Sequence, residues 1–337
     1  MKAQKCNPQA PAEIARACGV IRRTDVKQLI GVDLGGTSLR AARMDTGGHI
    51  LQHHSVATAA TAGPEAVAAQ IVALVEQVMG DISRSDIQGV GIGSPGPLDP
   101  FEGVVCRAPN LKGWADVPLR AMLEKGIGLP VVLGNDGNAA ALGEWHMGSG
   151  KGCRDFIYIG LGTGIGGGII TNGQLLLGRK GAGGEVGHIQ IEGSGPVCAC
   201  GQVGCWEAFA SGINFARWAT ETLQSQPESA LYAQAIAGKV TPADIFAAAV
   251  QGDAPALDCV RREGEYIGRG LVSLLHLFSP ERIALGGGVM AGAALLEPHV
   301  RRVIETQAME PFRDVEIVYA HHGEHAGVIG AAALLLS

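Results

Sequence analysis

The chain has 337 residues, 47% of them hydrophobic and 17% charged, with a formal net charge of -6 at pH 7. That length exceeds what a single core usually fills, so two lobes are expected, and the composition excludes a disordered chain. The acidic balance argues against a general nucleic-acid or anionic-membrane surface, and the sequence contains no apolar run long enough to span a bilayer.

Residues 1–27 depart from that balance, with Lys2, Lys5, Arg16, Arg22, Arg23 and Lys27 set against Glu13 and Asp25. They are predicted to form a basic, poorly ordered tail with one short helix around Pro11 to Cys18, and they lack the apolar centre of a signal peptide. From Leu29, "LIGVDLGGTSLRAARMD" reads as a strand, a tight Gly35-Gly36-Thr37 turn and a second strand, and "TGGHIL" adds a further turn and strand. "PEAVAAQIVALVEQVMG" then places Val67, Ile71, Leu74, Val75 and Val78 on one helical face, with Pro64 in the first turn. "IQGVGIGSPGPLD" is a buried strand, and "LPVVLGNDGNAAALGEWHMG" is a strand, a loop and a helix beginning near Asn138.

"DFIYIGLGTGIGGGIITNGQLLLG" looks like the first meander written again. Aligning Leu34 with Leu161 puts Gly35 on Gly162 and Gly36 on Thr163, with an Asn172-Gly173 turn near where Thr46 to Gly48 stood, which predicts an internal duplication. Beyond it come a long helix from about Ala256 to Phe278, a strand "RIALGGGVM", a helix to about Gln307, a strand "DVEIVYA" and a closing helix "EHAGVIGAAALL". Strands alternating with helices predict α/β architecture.

Four groups of residues could carry chemistry. The turns at Gly35-Gly36-Thr37, Thr163-Gly164 and Gly287-Gly288 could converge backbone N–H groups on phosphate, or they could be tight hairpins and nothing more. They do not follow the P-loop or dinucleotide patterns. Asp33, inside an apolar strand, needs either a cation or the N–H groups of its own turn. Asn135-Asp136 stands at a strand's carboxyl end, where ligands bind in open α/β sheets; from physics alone a plain N-cap explains the pair better. His188, Cys198, Cys200 and Cys205 form a Cys3His set, which suits a closed, structural zinc site better than free thiols, and Gly201 and Gly204 permit the sharp turns. The other five of the eight cysteines are scattered singly, which predicts the reducing cytosol rather than a disulfide framework.

Taken in order, "GVDLGGT", "GSPGPLD", "APNLKGW", "NDGNAAALGE", "GLGTGIGGG", "GGEVGH", "CACGQVGCWE" and "GVIGAAAL" resemble the ROK family of repressors, open reading frames and sugar kinases, over Leu29 to Leu336. Within the family the wording is most similar to the glucokinase branch. The resemblance implies a two-lobed actin-like fold of duplicated mixed sheets around a central cleft. The smaller lobe would comprise 28–136 plus 322–337, and the larger 137–321, carrying a zinc loop at 188–205. It implies ATP-dependent phosphorylation of a hexose C6 hydroxyl, glucose first, with N-acetylmannosamine, N-acetylglucosamine or fructose as alternative substrates and polyphosphate as an alternative donor. Asp136 would be the general base, and Asn110, Asn135, Glu185, His188 and Glu207 would hold sugar hydroxyls. Asp33 would act near magnesium, the turns at Gly35, Gly36, Thr37, Thr163 and Gly164 would face phosphate, and Gly287 and Gly288 would lie beside the adenosine. A cytoplasmic homodimer with no membrane or specific nucleic-acid partner is also implied. Repressors of the family carry a helix-turn-helix unit ahead of this body, and 28 residues before the first strand are too few for one. Gly137 departs from the family's usual Ala.

Overall fold

The computed structural model describes residues 27–108 and 110–337; the short helix expected around Pro11 to Cys18 lies outside them, as do Cys6 and Cys18. The chain opens with the antiparallel meander β1 (Gln28–Leu34), β2 (Ser38–Met44) and β3 (Ile50–Ala57). Next come α1 (Pro64–Met79), β4 (Ile87–Ser94), the short strands β5 (Leu98–Asp99), β6 (Val104–Arg107) and β7 (Ala115–Val117), then α2 (Leu119–Ile127), β8 (Val131–Asn135) and α3 (Asp136–Met147). The second half repeats the meander as β9 (Phe156–Leu161), β10 (Ile165–Thr171) and β11 (Gln174–Leu175). It continues through α4 (Trp206–Ala210), α5 (Gly212–Leu223), α6 (Tyr232–Ile236), α7 (Pro242–Val250) and α8 (Ala254–Phe278). It closes with β12 (Arg282–Gly286), α9 (Ala293–Gln307), β13 (Glu316–Tyr319) and α10 (Ala326–Ala333).

The two halves form sheets of one design. The first runs β3-β2-β1-β4-β8 and the second β11-β10-β9-β12-β13, each an antiparallel meander extended by two parallel strands. Leu34 pairs with Leu39 and Leu161 with Ile165, so Leu34 and Leu161 close equivalent strands, and the first turn is one residue longer than the second. The Asn172-Gly173 turn has φ of 54° and 71°, the left-handed pair that a two-residue hairpin needs.

Periodicity places the helices as expected. Val67, Ile71, Leu74, Val75 and Val78 are all buried on α1, and Pro64 sits in its first turn. The sequence reading missed β5 to β7 and the helices between Trp206 and Val250. Strands of two to four residues and helices of five are too short for a period to show, whereas α5, with Phe215, Ala219 and Leu223 buried at helical spacing, and α7, with its Thr241–Asp244 capping box, carried signals that went unread.

Two helices join the sheets: α10 lies on β1 and β4, α3 lies on β9 and β10, and the helices pack on each other. Small residues make that stack possible. A Cβ at Gly31 would overlap the carbonyl of Val328, and one at Gly330 would meet the Ala139 carbonyl at 2.5 Å. Separate apolar cores flank this layer, one under α1 and α2, the other under α5, α7, α8 and α9. No helix among the described residues is long and apolar enough to cross a membrane.

Candidate active site

Parallel strands deliver their carboxyl ends to one side of each sheet, and the residues singled out from sequence lie there. Asp33 and the 35–37 turn leave β1, Asn135-Asp136 leaves β8, the 162–164 turn leaves β9 and Gly287-Gly288 leaves β12. Asn135 is the N-cap of α3, its Oδ1 accepting from the N–H of Gly137 at 2.9 Å and of Asn138 at 3.4 Å. The cap reading is thus right for Asn135, and it frees Asp136. The helix begins at Asp136 rather than near Asn138, because the cap sits at Asn135 and Gly137 is tolerated in the first turn.

The Asp136 carboxylate is open to water yet walled by protein. Burial raises its pKa, while the Gly137 N–H, 2.8 Å from Oδ1, and Asn135 work against the rise. Asp33 is also raised by burial; the Arg40 guanidinium opposes this, and the negative charge of Asp136 adds to it. Asp33 therefore senses the charge of Asp136, and carboxylate oxygens of this kind are the hard donors that magnesium takes together with water and phosphate oxygens.

The 35–37 turn is braced by Thr58, whose Oγ1 donates to the Gly35 carbonyl at 2.7 Å and whose N–H donates to the Thr37 carbonyl at 3.0 Å. Asn110 lies against Gly36, where a Cβ would meet the Asn110 Cβ at 2.8 Å. On the other sheet, Gly212 donates to the Gly162 carbonyl at 2.7 Å, and Gly287, with φ 89°, packs on the backbone of Leu161. Thr37, Thr163, Gly287 and Gly288 are exposed.

The cysteine loop is a small hairpin bridged at Gln190–Cys205 and Val197–Val203, and Gly201 and Gly204 adopt φ of 91° and 86° as its turns require. It brings the four expected ligands together. Cys200 Sγ and Cys205 Sγ are 3.6 Å apart, as are Cys198 Sγ and His188 Nδ1, and all four donor atoms lie within 4.8 Å of one another. A tetrahedral zinc with Zn–S near 2.3 Å has S···S edges of about 3.8 Å, so the cage fits. Burial holds Cys198 and Cys205 towards the neutral thiol, a state that a cation would reverse.

Glu207 connects this cage to the 162–164 turn. Its Oε2 accepts from the Ile165 N–H at 2.9 Å and lies against Gly164, while its Oε1 is 3.9 Å from Cys198 Sγ. Glu185 is exposed one turn ahead of His188, whose N–H donates to the Glu185 carbonyl at 3.1 Å. Sequence reasoning missed Thr58 and Glu144, a buried acid in the otherwise apolar run "AAALGEW". That lone charge was the available signal for Glu144.

The ROK family profile matches residues 29–337. The chain is 40% identical over 313 residues to a glucokinase of Halalkalibacterium halodurans, covering 91% of this chain and 94% of that one. It is 32% identical over 306 residues to an N-acetylmannosamine kinase of Citrobacter koseri, covering 90% and 97%. A ROK family glucokinase from Streptomyces griseus, solved with glucose and AMPPNP, superposes with a TM-score of 0.76 at 38% identity, covering 91% of this chain and 98% of that one.

Proposed function

Because the chain belongs to the ROK family, whose sugar kinases share a two-lobed actin-like fold, we propose that it transfers the γ-phosphoryl group of ATP to the C6 hydroxyl of glucose. The observation that carries the reading is the Asn135-Asp136 step. A capped helix start presents one raised carboxylate at the end of β8, within electrostatic reach of Asp33.

In this reading Asp136 takes the proton of the C6 hydroxyl as its oxygen attacks the γ-phosphorus, the bond to the β,γ-bridging oxygen breaks and ADP departs. A carboxylate whose pKa is raised from the ordinary range is a better base for an alcohol than a fully solvated one. The turn N–H groups at Gly36, Thr37, Thr163 and Gly164 face the phosphates, and Gly287-Gly288 leaves flat space for the adenosine. Asp33 would help to hold magnesium, which would supply charge neutralisation on the phosphates. Asn110, Asn135, Glu185, His188 and Glu207 hold sugar hydroxyls, and each pairing discriminates against analogues lacking that hydroxyl. His188, Cys198, Cys200 and Cys205 would hold a structural zinc; with His188 bound through Nδ1, the atom beside Cys198 Sγ, its Nε2 would remain for the sugar and Glu207 would be held in place. The lobes divide at 28–136 plus 322–337 and 137–321. The chain works as a cytoplasmic homodimer, making glucose 6-phosphate for carbohydrate metabolism; the singly scattered cysteines of the sequence support a reducing compartment.

A coupled assay of ADP release over a panel of hexoses, with ATP and polyphosphate as donors, tests the activity. Glucose with ATP should turn over fastest, and absence of turnover with every hexose would sink the enzyme reading. N-acetylmannosamine outrunning glucose would move the chain to the branch represented by the 32% identical relative. Asp136→Asn should lose nearly all kcat while still binding sugar by calorimetry; parental turnover would remove Asp136 as the base.

A further inference from the structure

We infer that Glu144 is a positioning residue for the phosphoryl transfer, tying both chain crossings between the two sheets to the end of the helix that carries Asp136. The inference rests on Asp136 being the base.

Glu144 lies in the last turn of α3 and is 0% exposed. Its Oε2 accepts from the N–H of Ser149 at 2.9 Å and from the Ser149 hydroxyl at 2.7 Å. Its Oε1 accepts from the N–H of His321 at 2.8 Å and of His322 at 3.1 Å. Ser149 is on the segment that leaves α3 for β9, and His321-His322 is on the segment that returns from β13 to α10. One carboxylate thus joins the outgoing and returning crossings, Glu144 and His321 being 177 residues apart in sequence. The junction is reinforced locally. Gly150 N–H donates to the Glu144 carbonyl at 2.8 Å, the Trp145 indole donates to the Cys153 carbonyl at 2.7 Å, and Arg282 donates to the Ser149 carbonyl at 2.6 Å.

A buried carboxylate is costly unless its lone pairs are filled, and here four donors fill them. The Gly and Ala surfaces by which α3 and α10 touch bring the two backbones close together. The polar junction adds directional hydrogen bonds at the end of that contact. Asp136 lies eight residues up the same helix, about 12 Å at 1.5 Å per residue. A tilt of about 5° at Glu144 therefore displaces the base by about 1 Å, and a shift of that size can cost about 100-fold in rate.

Glu144→Gln keeps the shape but turns one oxygen into a donor that faces two donors, so one crossing is released and the other kept. Assayed well below its melting temperature, Glu144→Gln should lose about 10- to 100-fold in kcat with the sugar KM within about threefold of the parent. Ser149→Ala, which removes one donor of four, should move kcat in the same direction by a few-fold, and it decides the matter if Glu144→Gln does not fold. A folded Glu144→Gln with parental kcat, a rise in KM alone, or, where only Ser149→Ala folds, parental kcat in that variant overturns the inference. If Asp136→Asn is inactive while Glu144→Gln is parental, only the positioning role falls; if Asp136→Asn turns over normally, the base reading falls first.

Discussion

Two buried acids on long helices show how differently proteins treat the same side chain. Glu144 is surrounded by four donors, whereas Glu263 on α8 is 0% exposed and neither carboxylate oxygen has a hydrogen-bond partner in the protein. Burial raises the Glu263 pKa well above the ordinary carboxylate value, with Arg262 opposing the rise. A proton held more tightly in the folded than in the unfolded chain gives stability that is fully present below the unfolded pKa and is lost as pH climbs towards the folded one. Glu263→Gln should therefore melt higher than the parent at neutral pH, with the difference widening between pH 5 and 8 in a thermal-denaturation series. A constant difference would mean that Glu263 does not titrate. Asp136 carries a related consequence for catalysis. With Asp136 as the proposed base, its raised pKa should place the acid limb of kcat/KM above the range of an ordinary aspartate, read as a fall in rate when pH drops through that limb.

The cysteine hairpin stands for the elements whose purpose lies outside themselves. Its cage touches Glu207, and Glu207 in turn holds the start of β10 through the Ile165 N–H. Cys200→Ala should lose metal, sugar affinity and stability together, read by metal content, sugar KM and melting temperature on one preparation; loss of metal with an unchanged KM would detach the cage from the sugar pocket. Most of this element was readable in the chain, because ligand types at close spacing and glycines at the turns are local signals. So were α1, with its five buried positions and Pro64, and the Asn172-Gly173 hairpin. Contacts between distant segments left no such trace. Nothing near Glu144 announces His321, and nothing near Gly35 announces Thr58, since each pairing exists only once the sheets are assembled. The exact start of α3 was also hidden, because Asn135 and Asp136 are both good caps and only the fold selects between them.

At the scale of the molecule, two sheets of one topology meet through a pair of helices with small-residue surfaces. In the proposed kinase reading, closure of one half on the other about this joint would exclude water from the reacting phosphoryl group. Adding glucose should reduce the radius of gyration in small-angle scattering, and Glu144→Gln should alter the size of that change. The same joint also has a consequence during synthesis. The sheet formed by β1 to β4 and β8 is complete at Asn135, yet α10, which covers β1 and β4, begins only at Ala326. At roughly 5–20 residues per second a ribosome needs on the order of 10–40 s to supply that cover. Throughout that interval the first half of the nascent chain carries a bare apolar face, a stretch of time in which chaperones would find their substrate.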